Sequence, residues 1–299
     1  MRVLLCYPHR PDAYHKIGFV LPPLGLGYLA SVLRDNGHQP DIIDFNLGDR
    51  QPEYGAYDVV GISCDTSRVN EGCAIARQAK AAGKTVVMGG PHPTFSDREM
   101  LETGFCDYVV RGEGEWVFLN LLNSLQSGKD ISGVQGISFL SEQKEIIRTP
   151  DAEPPDARTL PRPARDLLKV TAYQRLEMGG RKITSLVTSR GCPYQCSFCS
   201  SSAFSGLKWR ANDPEAVVDE VEEIVHSYGF HGIAFLDDNF TQDPDRVREI
   251  CREINRRDLD IFWWCFSRAD VVLRHEDMIA AMARAGARYV FMGFESRSA

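Results

Sequence analysis

Three cysteines crowd into the stretch TSRGCPYQCSFCSSS, Thr188 to Ser202, as Cys192, Cys196 and Cys199, with three and then two residues between them. Thiolates are soft ligands suited to zinc or to iron–sulfur clusters. A structural zinc is ordinarily closed by four protein ligands, often as paired C-x-x-C knuckles. This loop offers three, and no second C-x-x-C occurs in the chain. A cubane of four irons held by three cysteines leaves one iron open, which suits an enzyme whose substrate must bind the metal. The other six cysteines, Cys6, Cys64, Cys73, Cys106, Cys251 and Cys265, lie in apolar or strand-like surroundings and read as buried small hydrophobes.

Composition bounds what such a loop can serve. A chain of 299 residues suits two domains, and 43% hydrophobic with 25% charged residues describes an ordinary folded protein. A net charge of −7 disfavours a nucleic-acid partner, because neutralising phosphates takes a basic surface. No apolar run approaches the length that spans a bilayer, and the start MRVLLCYP is too short for a signal-peptide core. An odd number of scattered cysteines fits a reducing compartment, so the expected location is cytoplasmic, with no membrane partner.

The elements that must position the chemistry alternate in type. In the first half, Val- and Ile-rich runs at 2–8, 39–45, 58–63, 85–90 and 107–112 are separated by helical patterns at 24–36, 69–82, 95–103 and 114–127. That is the pattern of βαβ units and predicts a Rossmann-like, doubly wound parallel sheet over 1–148, with ligands at the carboxyl ends of its strands. GISCDTS, GGPHPT and RGEGE each follow a strand directly. They put Ser63, Thr66, Gly89, Gly90, His92, Gly112, Glu113 and Gly114 at one edge, where glycines allow close backbone approach to a ligand. The G-x-G-x-x-A match from Gly25 to Ala30, with Asp44 further on, suggests a dinucleotide. It lacks the context, because the loop HRPDAYHKIGFVLP stands where the fingerprint needs its tight turn.

In PPLGLGYLASVLRDNGH, VVMGGPHPT and DYVVRGEGE the chain resembles the cobalamin-binding domain that precedes many radical S-adenosylmethionine enzymes. The resemblance implies cobalamin bound at the residues just named. The D-x-H-x-x-G motif that supplies a histidine to cobalt in other cobalamin proteins is absent after the first strand, and His9, His15 and His92 all lie outside any such motif. The implied cobalamin is therefore bound without that histidine.

A stretch dense in proline and charge, TPDAEPPDARTLPRPAR from Thr149 to Arg165, reads as an extended linker, placed at 149–180. Strand and helix then repeat: strands at 183–189, 232–238, 260–267 and 289–296, helices at 214–228, 244–257 and 275–285. This is the order of a parallel (β/α) barrel, whose chemistry sits at strand carboxyl ends. There the sequence offers the cysteine loop, Asp237–Asp238, Ser267–Arg268 and Glu295–Ser296.

RGCPYQCSFC is similar to the C-x-x-x-C-x-aromatic-C signature of radical S-adenosylmethionine enzymes, with Phe198 as the aromatic residue. The resemblance implies a [4Fe–4S] cluster on Cys192, Cys196 and Cys199, its open iron chelated by S-adenosylmethionine. It assigns the methionine amino group to Asp237 or Asp238, where the family's G-G-E glycines are replaced, the methionine carboxylate to Arg268, and the ribose hydroxyls to Glu295. The implied activity is radical methylation of an unactivated carbon in a small-molecule substrate, with electrons from ferredoxin or flavodoxin. Oxidative cyclisation is the alternative within the family, and a non-catalytic corrinoid- or cluster-binding protein the alternative outside it. The barrel over 181–299 is expected to be incomplete, with about four strands.

Overall fold

The computed structural model describes residues 1–10, 20–48, 51–173 and 176–294. The chain divides into two compact units, Met1–Pro155 with Leu160–Lys169, and Asp156–Thr159 with Val170 onward.

The first unit runs β1 (Arg2–Tyr7), α1 (Leu24–Asp35), β2 (Gln39–Asp44), β3 (Val59–Ser63), α2 (Val69–Ala81), β4 (Thr85–Gly89), α3 (Pro91–Phe95), α4 (Asp97–Glu102), β5 (Tyr108–Val110), α5 (Glu115–Ser127), β6 (Ile137–Leu140) and β7 (Ile146–Arg148). Its sheet has the order β2-β1-β3-β4-β5-β6-β7. From β2 to β5 all pairings are parallel, and the order reverses between β1 and β3, the switch point at which doubly wound sheets bind ligands. Strands covered on both faces must be apolar throughout, hence RVLLCY and VVGIS. Leu4, Cys6, Val60, Ile62, Val86 and Met88 enter one core with Ile75 and Ala79 of α2 and Met100 and Leu101 of α4.

Three expectations change. The sheet is not wholly parallel, since β6 and β7 add an antiparallel hairpin to β5. They are joined by a short polar turn with no helix between them, so they fall outside the strand–helix alternation that marks the other strands. The single helix expected at 95–103 is two, α3 and α4, broken at Ser96. Cys73 is half-exposed on α2, although the other five cysteines outside the loop are buried as expected.

The proline-rich segment is shared between the units. Residues 160–169 pack on α1: the Ala164 N–H donates to the Gly27 carbonyl, the Ser31 hydroxyl to the Arg162 carbonyl, and Arg34 pairs with Asp166 at 2.8 Å. Gly27 permits this approach, since a Cβ there would lie 2.9 Å from Leu168 Cδ1. The linker expected at 149–180 thus carries packed single turns, Ala157–Thr159, Arg165–Leu167 and Val170–Tyr173.

The second unit runs β8 (Glu177–Met178), β9 (Arg181–Leu186), β10 (Ser189–Arg190), α6 (Ser201–Ser205), β11 (Arg210–Ala211), α7 (Pro214–Tyr228), β12 (Gly232–Phe235), α8 (Pro244–Arg256), β13 (Phe262–Ser267), α9 (Ala269–Arg274), α10 (Glu276–Arg284) and β14 (Ala287–Met292). The main sheet has the order β14-β13-β12-β9-β8, and β9, β12, β13 and β14 are parallel neighbours in chain order. That is the succession of a partial (β/α) barrel, with β8 an antiparallel addition. Helix starts are written in the sequence: proline occupies the first position of α7 and α8, and Asp243 accepts from the N–H groups of Asp245 and Arg246. Phe235, Phe240 and Trp263 form the aromatic centre of the core, Phe235 meeting Trp263 edge to face with centroids 5.2 Å apart.

Candidate active site

In the first unit the carboxyl ends of β3, β4 and β5 and the facing sides of α1 and α5 line a small open cleft. Leu5, Leu26, Leu29, Ile62, Val87, Val110 and Phe118 line it, with Ser63 and the side-chain-free Gly61, Gly89 and Gly114. A Cβ on Gly61 would stand 3.1 Å from Leu5 and 3.3 Å from Phe118, and one on Gly114 would stand 3.2 Å from Val110. The cleft is thus apolar and kept open by missing side chains, which suits a flat, apolar portion of a large cofactor.

Gly90 follows the cleft residue Gly89 at the end of β4. Its φ of 92° and ψ of −176° belong to glycine alone, and a Cβ would lie 2.8 Å from the Cys64 carbonyl oxygen. That closeness lets the Cys64 N–H donate to Gly89 and the His92 N–H to Cys64. His92 Nδ1 lies 3.2 Å from the Thr66 hydroxyl, and its Nε2 is buried with no partner among the described residues. The Gly112 N–H donates to Thr94 Oγ1 on α3. Ser63, Gly89 and Gly114 therefore line the cleft, and Thr66, Gly90, His92 and Gly112 stand along its sheet edge. Glu113 instead lines a separate polar hollow with Trp116 and Asn120.

In the second unit β10 and β11 clasp the cysteine loop at its base, pairing Ser189 with Ala211 and Arg190 with Arg210. Inside the clasp the Cys192 N–H donates to the Gly206 carbonyl, the Cys199 N–H to the Cys196 carbonyl, and Arg210 Nη2 to the Ser205 carbonyl. Gly191, at φ 80°, leaves so little space that a Cβ would sit 2.4 Å from the Lys208 oxygen. Gly191→Ala is therefore expected to cost about 1–3 kcal/mol, read as a lower denaturation midpoint, and to displace Cys192.

Cys192 and Cys196 are half-buried and Cys199 is exposed. Burial pushes the Cys192 thiol up; the Tyr194 backbone hydrogen bond opposes this, and the charges of Asp238, Cys199 and Cys196 add to it. The three thiols thus share one neighbourhood, although among the described residues no three His, Cys, Asp or Glu side chains are drawn together as a ready metal site. Three soft donors that repel one another when ionised suit a multiply charged iron–sulfur cation.

The acidic pair is split by its surroundings. Asp237 is buried: its Oδ1 accepts from the Thr188 N–H at 2.6 Å, and its Oδ2 from the Thr188 and Ser189 hydroxyls, each at 2.6 Å. Burial raises its carboxyl above the usual range, against those hydrogen bonds and the Arg246 charge. Both its oxygens are thus turned into the protein, at the root of the cysteine loop. Asp238 is exposed, and its charge acts on Cys192. Arg268 caps α9 and lies over the Tyr194 ring of the cysteine loop, its Cζ 3.8 Å from the centroid. Ser267 points inward, its hydroxyl 2.5 Å from that of Thr241. Phe198 is 67% exposed, while Glu295 and His15 lie outside the described residues. Sequence reasoning did not single out Tyr194, nor Leu26, Leu29 and Phe118 in the cleft; the last three looked like ordinary core positions.

Residues 12–122 match the family model of the B12 binding domain, and residues 186–299 that of the radical SAM superfamily. The chain belongs to the B12-binding radical SAM proteins. Among its relatives in this family, an uncharacterized methyltransferase of Pyrococcus horikoshii is 36% identical over 309 residues, covering 100% of this chain and 66% of its own length. The anaerobic magnesium-protoporphyrin IX monomethyl ester cyclase of Rubrivivax gelatinosus is 32% identical over 314 residues, covering 99% of this chain and 56% of its own. This radical SAM protein therefore spans less than two thirds of either relative. Its fold is that of the cobalamin-dependent S-adenosylmethionine radical enzyme OxsB, solved with aqua-cobalamin and S-adenosylmethionine bound: TM-score 0.83 and 21% identity, over 99% of this chain and 44% of that one. Among the described residues no helix is long and apolar enough to cross a membrane.

Proposed function

We propose that this protein is a cobalamin-dependent radical SAM methyltransferase acting on an unactivated carbon of a small molecule. The observation that carries the reading is the clasped loop of three cysteines at the carboxyl edge of a parallel sheet, with Asp238 and Arg268 beside it. Cys192, Cys196 and Cys199 would hold a [4Fe–4S] cluster, and the glycine-lined cleft would hold cobalamin. When bound, these groups supply reductive cleavage of S-adenosylmethionine to methionine and a 5′-deoxyadenosyl radical, and methyl transfer. Arg268 offers its planar fork to the methionine carboxylate. Of the acidic pair, Asp238 is proposed for the amino group, because it is exposed beside Cys192 whereas Asp237 is buried with both oxygens turned into the protein. Glu295 is proposed for the ribose hydroxyls, from the sequence resemblance alone.

The higher identity to a named methyltransferase favours methylation, and the cyclase relative supports oxidative ring closure as the second reading. The proposed electron donor is a ferredoxin or flavodoxin. The net charge of −7 and nine free cysteines support a reducing cytoplasm and no nucleic-acid partner. The test is 5′-deoxyadenosine formation by anaerobically reconstituted, reduced protein given S-adenosylmethionine and cobalamin. Intact cofactors that never cleave S-adenosylmethionine, with or without candidate methyl acceptors, would favour the non-catalytic binding protein instead.

His92 is expected not to ligate cobalt, because it is held by Thr66 and lies outside the usual histidine motif. Its unpartnered Nε2 argues the other way. His92→Ala should leave the absorption spectrum of bound cobalamin unchanged, whereas a shifted spectrum would place the imidazole on the metal.

A further inference from the structure

We propose that Tyr194 is a positioning residue: its ring aims the Arg268 guanidinium at the carboxylate of S-adenosylmethionine, while Asp270 fixes the guanidinium edge. The inference rests on the functional reading above and adds to it the means by which the cysteine loop orients the carboxylate-binding group.

Two contacts of different kinds define the Arg268 head. The Tyr194 ring lies beneath it, 3.8 Å from centroid to Cζ, and sets its plane. Asp270 Oδ1 accepts from Nε at 3.0 Å and sets its rotation within that plane. Asp270 is in turn 3.5 Å from Arg274 Nη2, one turn along α9, which keeps the carboxylate in place. A guanidinium carries five N–H donors in a rigid fork. One is used by Asp270, and the Nη groups take no hydrogen-bond partner among the described residues. The side chain is 37% exposed, so those donors face accessible space. A fork fixed in plane and rotation with its outer pair of donors open matches the bidentate geometry of a carboxylate.

The location of the ring gives this arrangement its meaning. Tyr194 lies midway between Cys192 and Cys196, so the residue that aims the fork rides on the loop proposed to carry the cluster. A ligand that must touch both an open iron and the arginine would find the two held in register by one loop. An arginine stacked only to cover a surface ring would need neither the Asp270 contact nor open Nη donors.

The test uses the full chain, anaerobically reconstituted, with binding followed through the change in the electron paramagnetic resonance of the reduced cluster. Ligands are S-adenosylmethionine and its decarboxylated analogue, which lacks the group Arg268 would hold. Tyr194→Leu is expected to raise Kd for S-adenosylmethionine about tenfold, to leave the Kd for the analogue at the parent value, and to add nothing on top of Arg268→Ala. Tyr194→Phe, which keeps the ring, restores the parent affinity. Unchanged affinity in Tyr194→Leu, equal weakening toward both ligands, or full additivity with Arg268→Ala overturns the proposal. Should Tyr194→Leu lose iron, Asp270→Asn, outside the loop, must show the same carboxylate-selective weakening, and failure to do so is equally decisive. A parent protein with an intact cluster that binds neither ligand overturns the functional reading, and this inference with it.

Discussion

Cys199→Ala is expected to abolish 5′-deoxyadenosine formation and most of the iron–sulfur absorption, with the protein still folded. Cys199 is the exposed member of the three and makes no side-chain contact that the core depends on. Its backbone N–H, bonded to the Cys196 carbonyl, is unaffected by the substitution. Two remaining thiolates cannot complete the three-cysteine set, so the expected loss of activity is total. Circular dichroism and thermal unfolding of the cluster-free chains should superimpose for parent and variant, and iron content should not. A variant that retains full iron and cleaves S-adenosylmethionine would show that the cluster is held elsewhere.

Asp237→Ala carries the second large effect, and here the loss is in folding. The substitution strands the Thr188 N–H and the Thr188 and Ser189 hydroxyls in a buried place and removes the largest of the three carboxylate charges acting on Arg246, leaving Asp243 and Asp213. Unsatisfied buried donors cost about 1–3 kcal/mol each, and release from a strained buried charge offsets part of that. A net loss of about 3 kcal/mol is expected in denaturant titration, with weakened cluster retention because the loop root is no longer fixed. Asp237→Asn, close in shape, should fold.

The pH dependence tests the charge state of Asp237 itself. Burial raises the Asp237 carboxyl in the folded state, so between its ordinary value and the raised one the folded chain binds more protons than the unfolded chain. Stability from this group is then greatest at low pH and falls as pH rises through the folded-state pKa. Asp237→Asn removes that decline, which urea midpoints measured across the acidic range would show as a flatter profile. An unchanged slope would mean that Asp237 is ionised throughout.

What could be read from the sequence was what repeats or what chemistry marks. The fold class and the succession of strands and helices along the chain followed from VVGIS- and VVMGG-like runs alternating with amphipathic helices, and Cys192, Cys196 and Cys199 declared themselves by spacing. The β6–β7 hairpin did not, because no helix separates its strands and they break the strand–helix alternation by which the others were read. Asp237 and Asp238 look identical in the sequence, yet one is the buried brace of a loop and the other faces outward beside Cys192. Only the contact with Thr188 and Ser189, nearly fifty residues away in the chain, tells them apart. Tyr194 was passed over for the same reason, since its partner Arg268 comes from the end of β13.

The β10–β11 clasp bears on how such a protein matures. The ends of the cysteine loop are joined by main-chain pairing, and Gly191, Arg210 and Asp237 fix its path without using any thiol. Folding can therefore run ahead of metal delivery. The polypeptide can reach its shape first and leave Cys199 at the surface, with the drawing together of the three thiols left to the arrival of the metal. Loss of the cluster would then leave the root of the loop folded, because the strand pairing and the Asp237 brace that hold it use no thiol.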